Sequence, residues 1–266
     1  MRLETMLDEM TRQVLGRLHV APDSPRRLLD LGSGLGGPAR FVARETAGLR
    51  VHAVTIVEWQ AKQARTLARS AGAAHRVQFL QADYTRTPWA ESTYDGAYAI
   101  ESACHADGPD KATVIREAAR VLKPGARLVV ADGFLKHGRP MFGWFRWCYR
   151  KVCSNWAVED FAELGPFVRA MRESGFIDVR VEEISYRIAP SVMHIPVVTA
   201  RFLLRELFQS GWRLGAVRWG HLLACVLSPI VGMARSRFGY YLITGEKARP
   251  GSPPAQAGLA SELAGA

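Results

Sequence analysis

The sequence predicts a doubly wound α/β fold: a mostly parallel, Rossmann-like sheet with helices on both faces and a helical cap toward the C-terminus. Three observations predict it. Short apolar runs alternate with amphipathic segments over residues 26–135, the pattern of parallel strands covered on both sides. A glycine-rich stretch directly follows the first of these runs, where a strand must bend into a helix. A last apolar run, FGYYLITGEK, returns to strand character after a long helical region.

Each element follows from local pattern. Leu3, Met6, Leu7, Met10, Val14 and Leu18 recur at three- and four-residue steps, which predicts an amphipathic helix within residues 1–25. RRLLDL, RVHAVT, RVQFLQA, YDGAYAI and ARLVVADGF read as buried strands, with helices near 38–46, 59–71 and 109–122 between them. Residues 136–157 are aromatic and basic, carrying Met141, Phe142, Trp144, Phe145, Trp147, Tyr149 and Trp156. They serve either as a lid on an apolar pocket or as core. A helix is expected over 158–174, a strand at FIDVRVEEIS and two apolar helices within 193–228, inside a cap spanning 190–235. From residue 250 the chain is rich in Pro, Gly, Ala and Ser, a composition that predicts a disordered tail.

The formal net charge is +10 over 266 residues, which favours an anionic partner: nucleic acid, an acidic membrane surface or an acidic substrate. Four cysteines without framework spacing read as reduced thiols of a cytoplasmic protein. Cys148 and Cys153 have no second ligand pair nearby, so no metal site is expected. The N-terminus is acidic rather than apolar, unlike a secretory signal. The most apolar stretch, Leu222–Ala234, is broken by Pro229 and too short to span a bilayer.

The chemistry starts at the glycine loop. RLLDL runs into GSGLGGPAR, where a tight turn and a helix N-terminus can hold a phosphate or a carboxylate. Gly32, Gly34 and Gly37 also satisfy the dinucleotide spacing. Asp30, just before the glycines, suits the ammonium of a methionine moiety and is a poor neighbour for a pyrophosphate. Asp83 stands after the third strand, placed to accept an adenine amino group, and Glu58 and Gln60 follow the second strand within reach of ribose hydroxyls.

LLDLGSGLGGPAR, QADY, DGAYAIESACHAD and EAARVLKPGARL resemble, in order and spacing, class I methyltransferases. More narrowly, GGPAR, EWQ and YAIESACHA are similar to motifs of the sterol C-methyltransferase family and its tocopherol and isoprenoid relatives. The resemblance is strong over 25–135 and returns weakly at LSPIVGMARSRFGYYLITGEKARP. It implies a methyltransferase domain over 26–249, a seven-stranded sheet with the last strand antiparallel, and S-adenosylmethionine as cofactor. It implies contacts to that cofactor at Asp30, Gly32, Gly34, Gln60 and Asp83, with Ser33 (a cysteine in the family) and Tyr84 beside them.

For a carbon acceptor, methyl addition leaves a carbocation, which carboxylates and aromatic faces stabilise before a base removes a proton. Glu101 and His105, just past the fourth strand, are the candidates: Glu101 to stabilise the cation or orient the acceptor, His105 as base. The resemblance implies a lipophilic, isoprenoid- or sterol-like acceptor; a phenolic, quinone or other small natural product is the alternative. Residues 195–249 interleave arginines with apolar residues including Trp212 and Trp219, which suits peripheral binding to an anionic membrane surface. No recognisable RNA module accompanies the charge, so nucleic acid is not the expected partner.

Overall fold

The structure is a computed structural model that describes residues 3–210 and 215–251. After helix α1 (Leu3–Arg17), strands β1 (Arg26–Leu31), β2 (Leu49–Thr55) and β3 (Val77–Gln81) alternate with helices α2 (Gly37–Glu45) and α3 (Glu58–Ser70). Strand β4 (Tyr94–Ile100) then returns to the other side of β1, followed by a 3-10 turn (Ala103–His105), α4 (Ala112–Val121) and the long β5 (Leu122–Leu135). The C-terminal half comprises α5 (Gly143–Asn155), β6 (Ala162–Glu163), α6 (Leu164–Glu173), β7 (Phe176–Glu183), α7 (Ser185–Ser210), α8 (Ala216–Met233) and β8 (Phe238–Lys247).

The main sheet runs β3-β2-β1-β4-β5-β8-β7, parallel through β5, with β8 antiparallel to both β5 and β7. The expected seven strands and antiparallel last strand are present, and two-residue β6 pairs with the end of β5. Winding reverses between β1 and β4. At such a point the crevice at the strand C-termini opens toward a ligand.

Period-two alternation explains the two cores. Leu29 and Leu31 of β1 point into one cluster with Leu128, Val130 and Phe134 of β5 and the apolar faces of α4 and α6. Leu28 points the other way, with Val51, Ala53, Val129 and the alanine faces of α2 and α3. Strands buried on both faces therefore read as continuous apolar runs. Phe134 and Phe167 meet edge-to-face with centroids 5.0 Å apart, a contact worth about 1 kcal/mol beyond its burial. A third cluster joins α5 to α8 through Cys148, Val152, Leu227 and Val231.

Three boundaries differ from the sequence reading. No helix covers 158–163. The Asp160 carbonyl accepts from Lys111 Nζ at 2.8 Å, and the Phe161 amide donates to the Tyr149 hydroxyl at 3.1 Å. Those long-range partners hold the chain extended into β6, and α6 starts only at Leu164, with Pro166 in its first turn. The expected strand over 176–185 stops at Glu183 because the Ser185 hydroxyl bonds Glu183 and receives the Tyr240 amide at 2.8 Å, opening α7 there. The cap helices consequently cover more than 193–228. Residues 252–266 of the expected tail, and Trp212 and Arg213 of the expected basic surface, lie outside the described residues.

Candidate functional site

The glycine loop is built by three different demands. A Cβ on Gly32 would stand 2.4 Å from Ser102 Cβ, and one on Gly36 would stand 2.3 Å from the Phe79 ring. Both positions also have positive φ, 90° and 73°, so they are glycine for fold reasons. Gly34 has φ 51° and a Cβ there would meet nothing within 4 Å. It borders open space, as a ligand cradle would. The packed third glycine is thus Gly36. Gly37, the third position of the dinucleotide spacing, has nothing within 4 Å and lacks the close helix–strand packing that spacing requires.

Two amides of the loop are engaged by the fold. The amides of Gly32 and Ser33 both donate to the Val54 carbonyl, at 3.1 and 2.7 Å. They lock the loop to β2, leaving the amides of Gly34 and Leu35 as its open donors. The Ser33 hydroxyl is buried with no hydrogen-bond partner.

Asp30 lies in register with Tyr98 of β4 and is 2% exposed. Its Oδ2 and the Tyr98 hydroxyl each lack a well-formed hydrogen bond, although the hydroxyl is near enough to favour the carboxylate slightly. Burial dominates and lifts the Asp30 carboxyl to about 8. A buried carboxyl in this state is short of a cationic donor.

The other expected cofactor residues line the same edge. Thr55 donates to Gln60 Oε1 at 2.7 Å, which turns the Gln60 amide outward as a donor. Asp83 Oδ1 accepts from the Thr85 amide and hydroxyl at 2.8 and 2.7 Å, while Oδ2 remains open. Glu58 opens α3 and is exposed. Ile56 and Leu35 stand exposed on this edge, 68% and 42%, apolar surface that a flat heteroaromatic ring would cover. Tyr84 has a bracing role: its hydroxyl donates to the Ser102 carbonyl at 2.9 Å and its ring lies against Gly32.

Glu101 ends β4 with φ 51°, a left-handed conformation that costs a non-glycine residue about 1 kcal/mol or more. Its amide donates to Ala131 O at 2.8 Å, and its Oε1 accepts from the Tyr240 hydroxyl at 3.1 Å. Glu101 keeps solvent access although surrounding protein desolvates it and raises its pKa, the Tyr240 bond acting weakly the other way. That combination belongs to a carboxyl lining a recess rather than a convex surface. His105 is exposed, and its Nδ1 lies 3.2 Å from the Ala157 carbonyl. A carbonyl only accepts, so Nδ1 is the donor in this contact, and Nε2 has no hydrogen-bond partner among the described residues.

Four site residues went unrecognised in the sequence. Ser102 donates through its hydroxyl to Leu31 O, stitching β4 to β1. Asp132 is buried and accepts from the amides of Cys104 and Gly133 at 3.0 and 2.8 Å. Burial raises its carboxyl to about 7 against those two bonds, with the Glu101 charge adding to the rise. Tyr240 orients Glu101. Lys111, fully buried, donates to the carbonyls of Ala106 and Asp160 at 2.6 and 2.8 Å. Only a polar residue inside an apolar run, at Asp132 or Tyr240, signalled any of them.

The aromatic segment divides. Tyr149 is buried in the α5–α8 cluster, with Met141 and Trp156 packed against it, whereas Phe142, Trp144 and Trp147 are exposed at 74%, 63% and 47%. Cys148 and Cys153 are buried free thiols of that cluster.

Residues 29–130 match the family described as Methyltransferase domain. The chain is similar to methyltransferase phqN of Penicillium fellutanum, 44% identical over 110 residues that cover 41% of this chain and 33% of that protein. It is also similar to sterol methyltransferase-like 3 of Botryococcus braunii, 42% identical over 110 residues, covering 41% of this chain and 27% of that protein. The chain thus spans less than half the length of these curated relatives. Among solved structures, a chain assigned as a sarcosine dimethylglycine methyltransferase from Galdieria sulphuraria superposes with TM-score 0.74 at 22% identity, covering 91% of this chain and 84% of that one. The [4+2]-cyclase SpnF gives 0.70 at 25% identity, with 91% and 80% covered. Geranyl diphosphate C-methyltransferase from Streptomyces coelicolor A3(2) gives 0.65 at 18% identity, with 91% and 79% covered. One fold thus carries different reactions among these neighbours.

Proposed function

Because the chain carries a class I S-adenosylmethionine-dependent methyltransferase domain, we propose that it is an enzyme methylating a carbon of a lipophilic, isoprenoid- or sterol-like acceptor. The residues present fit the cofactor. Asp30 Oδ2 and Ser33 Oγ are buried without partners, and Gly34 borders open space on the same edge. Asp30 would hold the amino group, the Gly34 and Leu35 amides the carboxylate, Gln60 a ribose hydroxyl and Asp83 Oδ2 the adenine amino group. When bound, S-adenosylmethionine supplies an electrophilic methyl on a sulfonium.

The protein's own contribution lies on the acceptor side. Glu101 presents a carboxyl whose position is fixed by the Ala131 carbonyl and the Tyr240 hydroxyl. A negative charge held there favours positive charge developing on the acceptor, and it does so without reorganising. His105 Nε2 is the group free to take a proton afterwards. The single observation that carries the reading is the buried Asp30 carboxyl, which has no cationic partner among the described residues, on the same sheet edge as the accessible Glu101.

The sterol methyltransferase-like relative and the geranyl diphosphate C-methyltransferase neighbour support the lipophilic acceptor. Peripheral association with an anionic membrane would bring such an acceptor to the protein, in the cytoplasm. The second reading, a phenolic, quinone or other small natural product methylated at carbon, oxygen or nitrogen, is favoured by the 38% identity to O-methyltransferase resE over 130 residues. Incubation with methyl-labelled S-adenosylmethionine and a panel of sterols, prenyl diphosphates and prenylated phenols separates the two. Label on a sterol or prenyl carbon is the expected result; label only on phenols selects the second reading, and label in none removes the first. Glu101→Gln should leave cofactor affinity within about twofold while lowering turnover about 100-fold; unchanged turnover removes Glu101 from the chemistry.

A further inference from the structure

We infer that the outward faces of α5 and α8 together form a docking surface for an anionic lipid bilayer. The inference names the face behind the membrane association proposed above, and it does not depend on the reaction.

Helix α8 has two apolar sides, and the protein covers only one. Ala224, Leu227 and Val231 are buried, the last two in the cluster shared with α5. On the opposite side Trp219, Leu223, Val226 and Met233 recur at helical spacing and are 45%, 37%, 57% and 68% exposed. A helix apolar all round is at home in a protein interior or against lipid, and large bare patches mark interaction surfaces. On neighbouring α5, Trp144 and Trp147 point outward one turn apart, flanked by exposed Arg146 and Lys151.

The charge pattern selects the occupant. Helices α5 and α8 carry Arg146, Arg150, Lys151 and Arg218 and no acidic residue. A second copy of this chain would set basic residues against basic residues. An anionic headgroup layer instead meets them with opposite charge, while tryptophan and aliphatic side chains enter the acyl boundary. No described helix is long and apolar enough to cross a membrane, and the geometry asks only for contact with the surface.

The test uses the full chain in flotation with vesicles of phosphatidylcholine alone and of equal parts phosphatidylcholine and phosphatidylglycerol. Binding to the anionic vesicles, weaker at high salt and weak on the neutral ones, is expected. Trp144→Ala with Trp147→Ala, and separately Leu223→Ser with Val226→Ser, should each lower partitioning about tenfold. Calorimetric S-adenosylmethionine binding reports that each variant is folded and should be unchanged. No flotation with anionic vesicles overturns the inference, as does undiminished flotation of both double variants. Concentration-dependent dimerisation lost in the same variants, without vesicle binding, replaces the bilayer by a second copy. All three adverse results leave the methyl-transfer test standing.

Discussion

The strand edge and the cap handle apolar side chains in opposite ways. In β1, Leu28, Leu29 and Leu31 are at most 1% exposed, and the loops after β1, β3 and β4 are tied in by Ser102, Tyr84 and the Val54 carbonyl. In the cap, Val197 and Leu204 of α7 remain 55% exposed, and Tyr186 reaches 81%. Strand β1 finds its apolar partners within the chain, while Leu35 and Ile56 just beyond its edge stand exposed. Among the described residues nothing covers the exposed parts of these cap side chains. In the reading proposed above, the methyl donor and the acceptor-side Glu101 sit at the strand edge, and the membrane surface at the cap.

Three experiments can break or sharpen that contrast. The largest effect is expected from Gly36→Val, which drives a side chain into Phe79 from a left-handed backbone. It should destabilise by about 4 kcal/mol or more, read by chemical denaturation. If the protein tolerates it, the edge is not the rigid body described.

Next is the pH dependence of Asp30→Asn. The folded-state pKa of Asp30 is raised to about 8 from 3.8, so its stabilising contribution is full below the unfolded value and is lost as pH rises through the folded one. Relative to the parent, the asparagine variant should therefore gain stability between about pH 4 and pH 8, on the order of a few kcal/mol. Saturating cofactor should shrink that difference by giving the carboxylate its cation. A flat difference across this range means Asp30 is not a buried, partnerless acid.

The smallest is Lys111→Met. Lys111 joins the turn after β4, at Ala106, to the chain beyond α5, at Asp160. Losing it leaves the buried Ala106 carbonyl and the partly buried Asp160 carbonyl short of a donor and should cost about 2 kcal/mol, with hydrogen exchange quickening first around 157–163. Exchange that instead quickens in β1 and β4 would place the seam elsewhere.

What the sequence disclosed follows the same division. Strands β1, β2 and β4 were legible because burial on both faces leaves apolar runs, and the glycine loop because its backbone excludes side chains. Of the proposed site residues, Asp30, Asp83 and Glu101 were legible because each lies at or just past the end of a strand, and Gln60 because it falls in the first turn of the helix after β2. The brace formed by Tyr84 and the roles of Asp132 and Tyr240 were not, since their partners lie 18, 28 and 139 residues away. The start of α6 was misplaced for the same reason: local propensity around 158 favoured a helix, and Lys111 and Tyr149 overrode it. The aromatic segment could not be divided into core and surface without knowing that α8 covers one side of α5.

His105 is oriented by a single carbonyl, that of Ala157, on the chain leaving α5. The α5 that presents Trp144 and Trp147 outward thus also leads to the one carbonyl that holds this imidazole, so the proposed docking face and the proposed base share a single helix.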